Sequence, residues 1–193
     1  NTELYVPLLQ NKKIALVVNQ TSIIKNCHLV DTLLNLNINV RAIFSPEHGF
    51  KGNFSAGEKI EDNIYKKIPI YSLYGENKKP LVSSLDDIDI IVFDIQDVGV
   101  RFYTYISTLH YIMEASVENN ISLIVLDRDN LNSNYVDGPI LKKKYSSFIG
   151  MHPVPVVYGM TIGEYALMIN GEKWMKDSLS CDLRVIKFKN KMS

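Results

Sequence analysis

Three clusters of polar side chains each follow an apolar segment that has the composition of a buried β-strand. The clusters are Glu47-His48, Asp94-Gln96-Asp97 and Asp127-Arg128. Carboxyl groups that lie close together titrate at different pH values, so one can stay protonated while another stays ionised. Hydrolysis of a glycosidic bond requires such a pair. The residue types therefore favour a glycosidase, with four candidate catalytic side chains: Glu47, His48, Asp94 and Asp97.

A second group of side chains is suited to holding a sugar. Arg101 and Arg128 can bind a substrate carboxylate through paired hydrogen bonds. Tyr103 and Tyr105 can stack on a sugar ring or hydrogen-bond to it. The predicted substrate-binding residues are Gln96, Arg101, Tyr103, Tyr105, Asp127 and Arg128.

Each of these residues also has a structural interpretation. Asp94 can cap a loop or a helix, and His48 can be a turn residue. Asp127 and Arg128 can form an ion pair with each other, and the two tyrosines can belong to the core. A divalent metal held by Glu47 and the aspartates is a further alternative, but no second ligand set at a recognisable spacing supports it. The residues alone leave these alternatives open.

Strand-like and helical segments alternate along the chain and must position these side chains. Strands are predicted at residues 13–19, 40–44, 69–73, 90–93, 121–126 and 183–188, with an edge or irregular strand at 152–158 because of its two prolines. Helices are predicted at residues 1–11, 29–36, 81–85, 104–119 and 161–170. The last helix carries a capping box, with Thr161 at the N-cap and Glu164 three residues later.

This alternation predicts an α/β fold, a Rossmann-like parallel sheet with helices on both faces, in three layers. The carboxyl ends of parallel strands share one edge of the sheet, and ligands bind at that edge in open α/β sheets. We therefore expect the three polar clusters to converge on one site.

Composition excludes several other classes of function. The 193 residues carry 21 basic and 21 acidic side chains, so no charge imbalance indicates binding to nucleic acid or to a membrane surface. No apolar run is long enough to span a bilayer. Cys27 and Cys181 are far apart and lack metal-ligand spacing. Phosphate-binding loops and the serine-hydrolase elbow are also absent, so neither a cofactor nor a metal is expected.

Several longer motifs carry a resemblance to a known family. They lie at residues 44–58, 69–80, 90–107, 125–130, 137–141 and 158–166, and include SPEHG, FDIQDVG and YGMTIGEYA. Together they resemble the NamZ-type exo-β-N-acetylmuramidases, formerly a domain of unknown function. The resemblance covers nearly the whole chain, in order.

The resemblance implies a glycosidase that releases terminal N-acetylmuramic acid from the non-reducing end of peptidoglycan fragments, in cell-wall turnover. Glu47 of SPEHG becomes the favoured general acid, and Asp94, Gln96 and Asp97 become charge-stabilising or water-orienting groups. The alternative is a non-catalytic domain that binds cell-wall sugars. In either case the expected partners are muramyl sugars.

The resemblance also implies a two-domain organisation with the site between the domains. Residues 1–188 would form the Rossmann-like N-terminal catalytic domain, and residues 189–193 would begin a C-terminal domain. The chain starts at Asn1 without a methionine, which is compatible with removal of a signal peptide. The expected location is periplasmic or secreted, with the cytoplasm left open, and the sequence makes no prediction of oligomeric state.

Overall fold

The computed structural model describes residues 2–53, 55, 62–75 and 77–188. The described elements, in chain order, are α1 (Thr2–Leu9), β1 (Lys13–Val18), β2 (Ile23–Ile24), β3 (Cys27–His28), α2 (Leu29–Asn35), β4 (Asn39–Ser45), β5 (Asn63–Tyr65), β6 (Ile68–Ser72), α3 (Val82–Leu85), β7 (Ile90–Asp94), α4 (Tyr105–Glu118), β8 (Ser122–Leu126), α5 (Ile162–Gly171) and β9 (Leu183–Ile186). The predicted second-domain segment, residues 189–193, lies outside the described residues. The predicted domain division is therefore untested.

Seven of these strands form one twisted layer in the order β5-β6-β4-β1-β7-β8-β9. All neighbours pair in parallel except β5 and β6, which form an antiparallel pair at one edge. Chain direction across the sheet reverses beside β1, because β4 lies on one side of it and β7 on the other. Such a switch point is where open α/β sheets place a ligand crevice.

Alternate side chains of β1 explain why the sheet is covered on both faces. Ile14, Leu16 and Val18 pack with residues of α1 and α2 in one apolar cluster. Ala15 and Val17 point the other way and pack with α4 and α5 in a second cluster. Because successive strand residues face opposite sides, an uninterrupted apolar run needs a helical layer on each. The predicted three-layer α/β fold is confirmed.

The start of α5 is fixed by the capping box predicted from its sequence. The Thr161 hydroxyl accepts a hydrogen bond from the Glu164 amide at 3.2 Å, and a Glu164 carboxylate oxygen accepts one from the Thr161 amide at 2.9 Å. These bonds satisfy two donors that the first turn of a helix leaves unpaired.

The predicted strand at residues 152–158 is wrong. Its main chain makes only isolated bridges, with Val157 opposite Val100 and Asp137. Pro153 and Pro155 lack the amide protons that a strand ladder needs, so the segment follows the molecular surface of the sheet without joining it. Strands β2, β3 and β5 were not predicted, because each has only two or three residues.

Within the described residues, the structure contains no helix of the length and apolar character needed to cross a bilayer.

Candidate active site

Glu47 lies in a tight turn that follows the carboxyl end of β4. The amide of Gly49 donates to the carbonyl of Pro46 at 3.0 Å, which closes the turn around Glu47 and His48. His48 has a φ of +71°, the left-handed value that a type II turn requires at its third position. The structure thus gives His48 a backbone role in presenting Glu47, and its predicted catalytic role stays a prediction.

Thr104, the residue before α4, orients the Glu47 carboxyl group. Its hydroxyl donates a hydrogen bond of 2.8 Å to Oε2 of Glu47. Thr104 is buried, so the donor is held by the packing of the helix start. Among the described residues no group donates to Oε1, which leaves that oxygen available to a ligand.

Glu47 and Thr104 form part of the wall of a cleft of about 500 Å³. This Glu47 cleft is lined by Glu47, Tyr74, Gly75, Lys78, Phe102, Thr104, Ser147, Phe148 and Ile149. Its volume is within the range of small-molecule sites in proteins. Of the described lining residues, Glu47 alone carries a carboxyl group and Lys78 alone carries a positive charge.

Tyr105 is buried beside Glu47 and hydrogen-bonds to the side chain of Asn19, which follows β1. Burial raises the pKa of the Tyr105 phenol, and the nearby carboxylates of Glu47 and Asp97 raise it further. The two carboxylates therefore share the surroundings of one tyrosine. Tyr103 is exposed, and its ring centroid lies 6.5 Å from that of Tyr105.

Asp97 is buried below the surface of the site. Its Oδ2 accepts hydrogen bonds from the Gly99 amide at 2.8 Å and from the Tyr158 hydroxyl. Desolvation by this burial raises the pKa of Asp97. Asp97 is not among the residues that line the Glu47 cleft. Its predicted catalytic role stays a prediction, and the contacts observed are those of a residue that holds the turn at Gly99.

Asp94 and Arg128 form a bidentate ion pair across the ends of β7 and β8. Nε and Nη2 of Arg128 donate to the two Asp94 oxygens at 2.7 and 3.0 Å. The Asp94 side chain is 3% exposed and that of Arg128 22%. An ion pair was anticipated for Arg128, but the structure pairs it with Asp94 rather than with its sequence neighbour Asp127.

Asp127 caps the start of α5 from the end of β8. Its carboxylate accepts hydrogen bonds from the Gly163 amide at 2.8 Å and from the Thr161 hydroxyl at 3.1 Å. It also accepts one from the Arg128 amide at 3.1 Å. A carboxylate at a helix N-terminus is stabilised by the helix dipole. Binding of substrate by Asp127 stays a prediction.

A second cleft of about 330 Å³ lies at the same edge of the sheet. This Asp94 cleft is lined by Thr2, Tyr5, Ile23, Ile24, Asp94, Gln96, Leu126, Asp127, Arg128, Asp129 and Phe188. Gln96 Nε2 donates to the carbonyls of Asp97 at 2.9 Å and Asp129 at 2.7 Å. The lining of the Asp94 cleft shares no residue with that of the Glu47 cleft. The three polar clusters share one edge, as predicted, but they divide between two clefts.

Arg101 is buried and holds the main chain of a neighbouring segment. Its Nη1 donates to the carbonyl of Pro139 at 2.9 Å and to the carbonyl of Val154. The Arg101 amide donates to the carbonyl of Val156 at 2.8 Å. These contacts tie the segment that was predicted to be a strand to the start of α4. Binding of a substrate carboxylate by Arg101 stays a prediction.

A chain of buried polar side chains runs behind the Glu47 cleft. His152 Nδ1 lies 3.0 Å from the Tyr165 hydroxyl, and His152 Nε2 lies 2.9 Å from His110 Nδ1. His110 Nε2 lies 3.2 Å from a Glu114 oxygen. Lys79 completes the chain, donating to Glu114 at 3.1 Å. Burial in particular lowers the pKa of His152 to about 3.

Among the residues that the structure describes, no three His, Cys, Asp or Glu side chains are grouped so as to hold a metal ion.

The sequence analysis missed most of the lining of the Glu47 cleft. Tyr74, Lys78 and Phe148 come from loops that carry no periodic pattern. Thr104 looked like an ordinary helix start. Asn19 had the clearest signal, because it ends an apolar strand in the same way as the three clusters that were selected.

Known proteins resemble this chain along nearly its whole length. The sequence profile of a family described as "Exo-beta-N-acetylmuramidase NamZ, N-terminal" matches residues 14–192. The peptidoglycan β-N-acetylmuramidase NamZ of Bacillus subtilis (strain 168) is 46% identical over 193 residues, covering 96% of this chain and 45% of that protein.

Two crystal structures of DUF1343 family proteins from Bacteroides fragilis NCTC 9343 have the same fold. One is 48% identical with a TM-score of 0.87, covering 98% of this chain and 50% of its own. The other is 39% identical with a TM-score of 0.87, covering 99% of this chain and 50% of its own. The chain thus spans about half the length of these relatives.

Proposed function

The chain belongs to the NamZ N-terminal family, and from this premise we propose that it carries the proton donor of an exo-β-N-acetylmuramidase. The reaction would release terminal N-acetylmuramic acid from the non-reducing end of peptidoglycan fragments. The single observation that carries the proposal is the placement of Glu47, which lines a cleft large enough for one sugar ring and has one carboxyl oxygen fixed by Thr104.

In the proposed reaction Glu47 acts as the general acid. Its Oε1 donates a proton to the glycosidic oxygen while the bond from that oxygen to the anomeric carbon breaks. The transition state resembles an oxocarbenium ion. Water then supplies a hydroxyl group to the anomeric carbon, and its remaining proton restores Glu47. The hydrogen bond from Thr104 fixes the carboxyl plane so that Oε1 faces the bound sugar.

Asp94 and Asp97 are proposed to stabilise the positive charge of the transition state through the protein rather than by contact with the sugar. Neither lines the Glu47 cleft. Both are buried, where a negative charge acts over a longer distance than in water. We therefore expect Asp97→Asn to lower kcat by less than Glu47→Gln does.

The test uses the complete gene product that contains this chain and aryl glycosides of N-acetylmuramic acid. Glu47→Gln should lower kcat by about 10²- to 10⁴-fold with a poor leaving group, the usual contribution of general acid catalysis. With a dinitrophenyl leaving group, which departs without protonation, the deficit should shrink to a small factor. Equal deficits with both substrates would refute the assignment of Glu47 as acid, and wild-type protein that hydrolyses neither substrate would refute the reaction.

The proposal places the protein where cell-wall fragments occur, in the periplasm or outside the cell. Fractionation of cells that express the complete gene product, followed by detection of the protein in each fraction, tests this location. Recovery in the cytoplasmic fraction alone would contradict it.

A further inference from the structure

Two cations that the sequence assigns to an acidic substrate group are bound to protein partners in this structure. Arg101 is 7% exposed and donates to the carbonyls of Pro139 and Val154. Arg128 holds Asp94 through two hydrogen bonds. Neither arginine lines the Glu47 cleft. A substrate carboxylate bound beside Glu47 therefore needs another partner.

Lys78 is the cation that the fold presents to the Glu47 cleft. Its Nζ lies over the ring of Phe148, 4.8 Å from the ring centroid. Among the described residues, Lys78 forms neither a hydrogen bond nor an ion pair. Its neighbour Lys79 points instead toward α4 and pairs with Glu114 at 3.1 Å and Glu118 at 2.6 Å. The adjacent lysines thus have different roles, one within the packing of the fold and one at the cleft.

Phe148 gives Lys78 a fixed apolar surface. The Phe148 ring stacks on Tyr111, with centroids 6.1 Å apart and an interplanar angle of 17°. On another side it packs against Tyr74, with centroids 6.5 Å apart. An ammonium group over an aromatic face keeps donors that point away from the ring. Lys78 is thereby positioned while its donors remain available to an anion.

N-acetylmuramic acid differs from N-acetylglucosamine by a lactyl ether at carbon 3, which adds one carboxylate. Glycosidic oxygen and lactyl group are substituents of the same ring, so their binding groups must line the same cleft. Glu47 and Lys78 meet this condition. We propose that Lys78 binds the lactyl carboxylate of the sugar whose glycosidic bond Glu47 protonates, and so sets the preference for muramic acid. This inference rests on the proposed function.

The lactyl carboxylate keeps its charge throughout the reaction. A contact to it stabilises the bound substrate and the transition state equally, so its loss should raise KM and leave kcat unchanged. We expect Lys78→Met to lower kcat/KM for an aryl N-acetylmuramide by about 10- to 100-fold, the range for a polar substrate contact that is partly open to solvent. The kcat/KM for the matching N-acetylglucosaminide should not change.

Two further variants serve as controls in the same assay. Lys78→Arg keeps the charge and should retain the preference for the muramide. Lys144→Met removes a lysine that also lies 4.8 Å from an aromatic centroid, that of Tyr145, but does not line the Glu47 cleft. It should behave as wild type. An unchanged muramide preference in Lys78→Met would overturn the proposal.

Direct binding separates this proposal from the proposed reaction. Calorimetric titration of the two free sugars into wild-type and Lys78→Met proteins should show a loss of affinity for N-acetylmuramic acid alone. If wild-type protein hydrolyses neither glycoside but shows this Lys78-dependent binding, the reaction is refuted and the role of Lys78 stands. Equal affinity of both proteins for N-acetylmuramic acid would overturn the role of Lys78, whatever the hydrolysis assay shows.

Discussion

The hydroxyl group of Thr104 lies 2.8 Å from Oε2 of Glu47 and donates a hydrogen bond to it. Thr104→Val removes this donor and keeps the shape of the side chain. We expect kcat for N-acetylmuramide hydrolysis to fall about tenfold, which corresponds to one hydrogen bond to a charged group. KM should change little, because the sugar does not contact the hydroxyl.

Two variants control for general effects of this change. Thr104→Ser restores the donor and should restore most of the activity. Thr108→Val alters a threonine of the same helix whose buried hydroxyl has no partner among the described residues, so activity should be retained. A loss in Thr108→Val as large as that in Thr104→Val would contradict a role for the Glu47 contact.

Arg128→Met tests whether Arg128 holds the fold or the substrate. The change leaves the Asp94 carboxylate buried without its cation, so the free energy of unfolding should fall by about 3–5 kcal/mol. Urea denaturation measures this loss. Asp94→Asn in the same chain should recover part of it, because the buried charge is then gone.

An exposed arginine provides the comparison. Arg41→Met removes a partner 3.9 Å from Asp87 on an exposed surface, and stability should change by no more than about 0.5 kcal/mol. If Arg128→Met were equally mild and instead raised KM, Arg128 would be a substrate ligand, as the sequence predicts.

Gly99→Ala should destabilise the protein more than most single substitutions. Gly99 has a φ of +72°, and a Cβ atom there would lie 2.3 Å from Oδ1 of the buried Asn130. We expect a loss of about 3 kcal/mol, from backbone strain and this clash together. Gly75→Ala shares the positive φ, at +91°, but has nothing within 4 Å. Its loss should be about 1 kcal/mol, so equal losses would show that the clash contributes nothing.

The buried pair His110–His152 predicts sensitivity of the fold to acid. Burial lowers the pKa of His152 from 6.5 to about 3, with a smaller effect from His110. Between these pH values the unfolded chain binds a proton that the folded protein does not. The free energy of unfolding should therefore fall as the pH falls below about 6.5.

The slope of stability against pH is the measurement that isolates His152. His152→Phe keeps a ring stacked on Trp174, which is 4.9 Å away, but does not titrate. Its stability should depend less steeply on pH between 3 and 6.5 than that of wild type, whatever its absolute value. Glu114→Gln should flatten the curve only below pH 4.5, because the hydrogen bond from His110 lowers the pKa of Glu114 from 4.5 to about 2. Parallel curves for wild type and His152→Phe would contradict the prediction.

The central strands were predictable because burial on both faces leaves a direct mark on composition. Strands β1, β7 and β8 are runs of aliphatic and aromatic residues with no polar interruption. Strand β5 was missed because Ile64 is its one aliphatic residue and is exposed. At residues 152–158 the apolar pattern was read correctly as burial but wrongly as a strand, since the prolines prevent ladder pairing.

The candidate site was predictable only where a strand ends. Glu47 was found for this reason, and the end of β4 does lead to a cleft. Partner choice was not predictable, because Arg128 selects Asp94 over Asp127 by distance across two strands. Lys78 comes from a loop between β6 and α3, where sequence gives no sign of which way a side chain points.

The order of strands in the sheet also determines when the protein can fold during synthesis. No parallel pair in the sheet joins strands linked by a tight hairpin, so each such pair must wait for an intervening segment to close. Strand β8 receives its outer neighbour from residues 183–186. On the ribosome, nearly all of these 193 residues must therefore emerge before that edge is covered, and until then it offers unpaired amides and carbonyls to other nascent chains.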